Sequence, residues 1–263
     1  MLMVNNLVGF GTGSSGPRGP FPVGAAAFDG STGLTKSGSF TGVSDGPNAL
    51  ISFWLLKSVS NSMRIFDTDN GPINPVRITT ETNGKITLTV RGAPDGVNKS
   101  VFWQSTNGFA TGVWQHFAIS WNTNFSAGNK VVKLAVDGVA EAMPPLADGD
   151  PAFNPDYTPN NYSVSGTGGS APFINGALAE FYFNFATYLD ITQASNNQKF
   201  RDVNGFPVDL GATGSTPTGT APGLFLRVAA GAAASTFATN VTGNGNMTVA
   251  AGALTLSSTS PSD

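Results

Sequence analysis

Short apolar segments bounded by Gly, Pro, Asn and Asp recur from about residue 25 onwards, and their internal period is two, the spacing of strands. Residues 86–90 set Ile86, Leu88 and Val90 against Thr87 and Thr89, which predicts a strand buried on one face and wet on the other. Residues 116–122 alternate Phe117, Ile119 and Trp121 with His116, Ala118, Ser120 and Asn122. Residues 132–136 place Val132, Leu134 and Val136 on one face and run into Asp137-Gly138, a dipeptide suited to a type I′ hairpin turn. Residues 49–56 are apolar on both faces and predict a central strand covered on both sides. Residues 177–185 stack Phe181, Phe183 and Phe185 on one face and Leu178 and Tyr182 on the other. Further strands are expected at 224–228, 247–249 and 254–256.

Three stretches break this rhythm. Residues 190–203 lack Gly and Pro, open on Asp190 with Gln193 three residues later, and precede Gly205, so a surface helix is expected with Ile191, Ala194, Phe200 and Val203 as its thin apolar stripe. Residues 144–169 carry five prolines and read as a long irregular excursion packing on its own Phe153, Tyr157 and Tyr162. Residues 1–24, punctuated by Gly9, Gly11, Pro17 and Pro20, read as an extended arm suited to docking on a partner. Many strands, hairpin turns and no βαβ alternation point to an all-β, antiparallel two-sheet jelly-roll sandwich. The expected division is an arm over 1–24, the jelly roll over 25–190, and a helix with C-terminal strands over 191–263 that pack on or extend it.

Composition narrows the chemistry. Only 11% of the 263 residues are charged, against about 25% in an average domain, and the formal net charge is −3. Scattered Lys and Arg give no footprint for nucleic acid or for an anionic membrane. Residues 1–16 have no basic region before their apolar stretch, and no run approaches the length of a membrane span, so neither a signal peptide nor a transmembrane helix is expected. The absence of Cys removes disulfides, thiolate zinc ligands and thiol nucleophiles, and one histidine, His116, excludes sites that need two.

The acids are isolated. Glu81, Glu141 and Glu180 form no paired-carboxylate run of the kind that retaining glycosidases place on one strand, so no catalytic residue is assigned. His116 lacks a Gly-X-Ser-X-Gly elbow and reads as structural. No cofactor is expected. Calcium is the one metal the acid clusters allow, with Asp67, Asp69, Asp148 and Asp150 as candidate ligands against an ordinary role in turns. Trp103, Tyr157, Tyr162 and Tyr188 are the candidate aromatic platforms for a glycan, against a role in packing.

Several segments together resemble a known family. They are Ala27-Phe28-Asp29-Gly30, Ile51-Ser52-Phe53-Trp54, Trp114-Gln115-His116-Phe117, Ala135-Val136-Asp137-Gly138 and Asn175-Gly176-Ala177-Leu178. In this order they resemble the laminin-G-like, concanavalin A-like jelly rolls over about residues 25–190. Further on, Gln198-Lys199-Phe200-Arg201-Asp202, Gly205-Phe206-Pro207-Val208 and the Gly252-Ala253-Leu254-Thr255 ending resemble laminin-G-like proteins of tailed bacteriophages and prophages. That resemblance implies a noncatalytic virion protein, made in a bacterial cytoplasm, that decorates a capsid or forms a head or tail appendage. It implies other virion proteins as partners and a homo-oligomer, a trimer being favoured, with the arm (Gly9, Gly11, Pro17, Pro20) as the assembly element. The alternative reading is a glycan-binding host-recognition module, and a glycoside hydrolase stands behind both.

Overall fold

The computed structural model describes residues 19–69, 74–92, 100–126, 129–147 and 152–263. In chain order its strands are β1 (Val23–Gly24), β2 (Ala26–Asp29), β3 (Gly33–Ser37), β4 (Asn48–Lys57), β5 (Met63–Asp69), β6 (Val76–Thr80), β7 (Ile86–Arg91), β8 (Ser100–Gln104) and β9 (Trp114–Ser126). They continue with β10 (Asn129–Val136), β11 (Val139–Glu141), β12 (Pro145–Ala147), β13 (Asn161–Val164), β14 (Asn175–Asn184), β15 (Leu224–Leu226), β16 (Val228–Ala229), β17 (Thr248–Ala251) and β18 (Thr255–Leu256). A helix α1 (Ala194–Asn197) lies between β14 and β15.

Two antiparallel sheets pack face to face. The first runs β11-β10-β9-β4-β14-β2-β18, with β15 beside β14, and the second runs β12-β8-β7-β6-β5-β13-β3-β17. Between them Phe53 stacks on Phe117 at 5.5 Å and on Phe181 at 5.8 Å, while Phe66 of the facing sheet meets Phe183 edge-on at 4.9 Å. Among the chain's crossings between the sheets, two are tight corners of three residues: β2 to β3 through residues 30–32, and β17 to β18 through residues 252–254.

The alternations in the sequence map onto these strands because one side chain in two enters this core. Ile86, Leu88 and Val90 point inward, and Asp137 and Gly138 both take positive φ (51° and 81°), the backbone a type I′ turn requires. The fully apolar β4 has a second reason for its composition. Its far side carries Leu50 and Trp54, and these are roofed. Ile191, Phe200, Leu210 and Phe225 close over Leu50, Ala118, Ala135 and Tyr182, and Val23 and Ala25 close over Trp54 and Ala179.

Four expectations need correction. The helix is four residues long, not fourteen: Asp190 caps a turn by accepting Thr192 N–H and its hydroxyl, and the i→i−4 ladder gives way to tighter i→i−3 bonds at Lys199 and Phe200. Of its stripe only Ile191 and Phe200 are buried, whereas Val203 is exposed. The excursion is no surface insertion. It contributes β12 and β13, and its Phe153, Tyr157 and Tyr162 enter the main core. Residues 19–24 are not a free arm, because β1 pairs with β16 and Gly19 N–H donates to the Ser262 carbonyl at 2.8 Å. Pro20 is exposed there, while Gly9, Gly11 and Pro17 lie outside the described residues.

The fourth correction concerns β14. Leu178 faces the same core as Phe181 and Phe183, and Tyr182 faces the roof, although Leu178 and Tyr182 have the same parity. The register slips between Ala179 and Tyr182, where Glu180 takes φ 48°. A bulge inserts one residue and exchanges the faces beyond it.

Two predictions follow from β14. A Cβ at Gly176 would fall on the Leu56 carbonyl oxygen, whereas at Gly231 (φ 78°) it meets nothing within 4 Å. Gly176→Ala is therefore expected to prevent folding or leave insoluble protein, while Gly231→Ala costs only about 1–2 kcal/mol of backbone strain in a denaturant melt. Glu180 is buried, neither carboxylate oxygen has a hydrogen-bond partner, and Arg227 Nε is 3.8 Å away. Burial lifts its carboxyl from 4.5 to about 7, against the pull of Arg227 and with a push from Asp209. The unfolded chain releases this proton near 4.5 and the folded chain holds it to about 7, so stability falls as pH rises through that window and levels off above it. Glu180→Gln is expected to stabilise the protein above pH 7 by on the order of 3 kcal/mol and to leave it unchanged near pH 4. An equal effect at both pH values would show that Glu180 is charged in the fold throughout.

Candidate functional site

The outer face of the second sheet is built differently from that of the first. Among the described residues it carries no hydrophobic cluster of its own, and its outward positions are polar. Cross-strand register aligns Phe102 of β8, Thr89 of β7, Arg77 of β6, Asp67 of β5, Ser163 of β13 and Thr35 of β3 in one row. Asp67 is its fixed point. Its carboxylate accepts Arg64 Nη1 at 2.7 Å, the Thr167 hydroxyl at 2.6 Å and Arg77 Nε at 3.3 Å. A buried carboxylate held by two guanidiniums and a hydroxyl orients the arginines as donors on this face.

Beside that clamp, Arg91 lies over the Phe102 ring at 5.6 Å, and Gln104 Nε2 donates to the Thr87 hydroxyl at 3.2 Å. Burial, reinforced by repulsion from Arg77, holds the Arg91 guanidinium below its usual range, and Asp67 opposes this. Arg77, Thr87, Arg91, Phe102 and Gln104 are all partly open to solvent. The result is a patch on β6–β8 with one aromatic surface, two guanidiniums, an amide and a hydroxyl. Such a set offers an apolar face flanked by hydrogen-bond donors, the chemistry a flat, hydroxyl-rich ligand needs.

The aromatic residues picked from the sequence lie elsewhere. Trp103, Tyr157 and Tyr162 are in the core, where Trp121 Nε1 donates to the Tyr157 hydroxyl at 2.9 Å and the Tyr162 hydroxyl donates to the Tyr157 carbonyl at 2.5 Å. They offer no platform because both ring faces are covered. Phe102, one residue from Trp103, is the side chain turned outward, and parity along β8 was the signal that distinguished them. Tyr188 is half-buried and packs at 5.6 Å against the exposed Phe125, near the Lys133–Asp190 ion pair.

Among the described residues calcium finds little to bind. The oxygens of Asp67 are saturated, Asp69 sits at the end of β5 opposite Asn161, and Asp148 and Asp150 lie outside the described residues. Among the described residues no three His, Cys, Asp or Glu side chains converge on a point that could hold a metal ion.

His116 does meet a serine: Ser52 Oγ and its Nε2 are 2.8 Å apart. Its Nδ1 has no hydrogen-bond partner, so no carboxylate orients the ring as a triad would. The ring is fully buried at 4.9 Å from Trp54, and burial, with help from the Arg201 charge, pushes its pKa down to about 3. It is therefore neutral. Glu141 accepts the Asn107 backbone N–H and side-chain amide, both at 2.8 Å, and closes a loop.

No protein-family model and no curated protein matches this sequence. Solved structures do. A proposed carbohydrate binding protein from Bacteroides ovatus superposes with a TM-score of 0.56 at 14% identity, over 89% of this chain and 59% of that one. This chain thus spans little more than half the length of that protein. A SAP-like pentraxin from Limulus polyphemus gives a TM-score of 0.46 at 12% identity, over 66% of this chain and 81% of that one. The CBM40 domain of a Ruminococcus gnavus sialidase gives 0.41 at 15% identity, over 62% and 97%. What the likeness to the Bacteroides ovatus protein bears out is the fold alone: an all-β, two-sheet antiparallel sandwich, here with one short α-helix among the described residues.

Proposed function

We propose that this protein is a noncatalytic glycan-binding module and that the outer face of β6–β8 is its binding surface. The observation that carries the reading is the Arg91–Phe102 stack set between Arg77, Thr87 and Gln104 on the sheet face that no roof covers. A sugar ring laid on the aromatic edge would find donors on both sides, and Asp67 keeps the Arg77 guanidinium in place before any ligand arrives. The proposed carbohydrate-binding role of the similar Bacteroides ovatus protein is in keeping with this use of the fold.

A second reading has an observation of its own. Uncharged sequence occupies both ends of the chain, up to Pro17 and from Val228 to Ser262, and the two ends meet where Gly19 bonds Ser262. A surface of that composition suits close packing among subunits, where unpaired charge is penalised. This supports the tailed-phage resemblance: a virion subunit, in a capsid decoration or a head or tail appendage, that presents its glycan-binding face to a host surface. The two readings are compatible.

Binding to a panel of bacterial surface polysaccharides tests the first. The intact protein is expected to bind at least one, and Phe102→Ala combined with Arg91→Ala to weaken that binding by about tenfold or more with little change in Tm. Phe125→Ala with Tyr188→Ala is expected to leave it unchanged. No binding to any glycan, or loss only with the Phe125 and Tyr188 pair, would refute the assignment to this face.

A further inference from the structure

Among the described residues each sheet ends on two edge strands, and two of these four lack the charge or proline that an exposed edge usually carries. An unpaired edge strand is a template for another chain, and natural sheets blunt it with charge, proline or brevity. On the far side of the sandwich β11 is three residues long and ends on Glu141, and β12 begins at Pro145 directly after Pro144. Those edges are guarded.

The near side has neither charge nor proline, although β18 is only two residues long and the register of β17 slips before Ala251. β17 closes the second sheet, β18 closes the first, and the same short ribbon supplies both by turning the corner at residues 252–254. From Val228 to Ser262 the chain has no Lys, Arg, Asp or Glu, and its one proline, Pro261, lies beyond the ribbon. Val249 and Leu256 stand 38% and 54% exposed on it. The charges nearby are turned onto their own surroundings: Asp263, in the groove beside the ribbon, accepts the Ser260 N–H at 2.7 Å. Asp29 accepts from Ser31 and Thr32, and the Lys36 ammonium bonds the Ser37 and Gly38 carbonyls and lies over the Phe40 ring. Both edges therefore offer backbone donors and acceptors in a setting that lacks any electrostatic deterrent.

We propose that this corner is a self-association surface, on which the edges of β17 and β18 pair with a second copy of the chain. The partner must itself be uncharged and must bring unpaired backbone groups, and an identical corner meets both requirements. Where the rest of the chain enters points the same way. Gly19, where the described chain begins after a stretch uncharged as far as Pro17, donates its N–H to the carbonyl of Ser262, a residue lining the groove formed with residues 22–25, 228–232 and 256–260. Chain that could cover or extend a contact arrives at this corner and not at the guarded edges. The proposal deepens the particle-subunit reading by naming the surface and the partner, and it stands apart from glycan binding, which is measured on β6–β8, separated from β17 by three strands of the second sheet.

Light scattering on the full chain after gel filtration, at micromolar concentration, tests it. The wild type is expected to elute as an oligomer. Val249→Lys with Leu256→Lys is expected to give a monomer that still binds whatever glycan the wild type binds, and Val139→Lys on a guarded edge to leave the oligomer intact. A chain lacking residues 1–16 is expected to remain associated. A monomeric wild type, an oligomer that survives the two lysines, or one abolished by removing residues 1–16 alone would each overturn the proposal. Because the protein has no Cys, a single Ala250→Cys variant gives a readout that does not depend on the lysine variant folding. A bis-maleimide is expected to join two chains through Ala250→Cys and not through Val139→Cys, and the reverse result would likewise overturn the proposal.

Discussion

The roof over the first sheet is the constraint on which the rest of the molecule depends. A sandwich of two sheets has two outer faces, and alternation normally leaves both wet. Here Phe200, Leu210 and Phe225 from the C-terminal part of the chain cover Leu50 and Tyr182, and Val23 and Ala25 cover Trp54. The first sheet is thus dry on both sides. Its polar outward residues must be satisfied in place, as with Ser52 against His116 and Ser120 donating to the Ala49 carbonyl at 2.9 Å. Glu180, whose oxygens have no such bonds, keeps its proton instead.

With one face closed, surface chemistry is divided between the outer face of the second sheet and the edges. The sparse charges are placed accordingly. Arg64, Arg77, Arg91 and Asp67 gather on the open face, while the C-terminal corner has none. The low overall charge therefore reflects a partition. A small ionic cluster is held rigid by one buried carboxylate, and broad surfaces of Ala, Gly, Ser and Thr surround it. The proposed glycan-binding face and the proposed packing surface make opposite demands on composition, and the two readings assign them to separate parts of the sandwich.

How much of this the sequence revealed depended on the range of the interaction. Period-two alternation located β7, β9 and β10, and Asp137-Gly138 fixed its hairpin, because these signals are local. The two-sided apolar pattern of β4 announced a covered outer face without saying what covered it. The bulge at Glu180 was invisible, since one inserted residue leaves no mark in composition yet exchanges the faces of Leu178 and Tyr182. Residues 190–203 had a helix's punctuation, but their buried anchors Ile191 and Phe200 serve the roof through turns. The candidate face was half legible. Alternation identified Thr87 and Thr89 as outward residues, but only register across four strands aligns Phe102, Arg77 and Asp67, and register is set by pairing that no single segment encodes. Parity along β8 was legible as well: it sets Phe102 with Ser100 and Gln104 on the open face and Trp103 with Val101 on the buried one.

His116 offers the most direct test of the roof, because it is the chain's one histidine and lies beneath it. Its ring proton resonances, followed by NMR from neutral pH into acid, should show no titration until pH falls toward about 3 or the fold is lost. A reversible midpoint near the ordinary 6.5 in folded protein would place the ring in water and contradict the closed face on which this account rests.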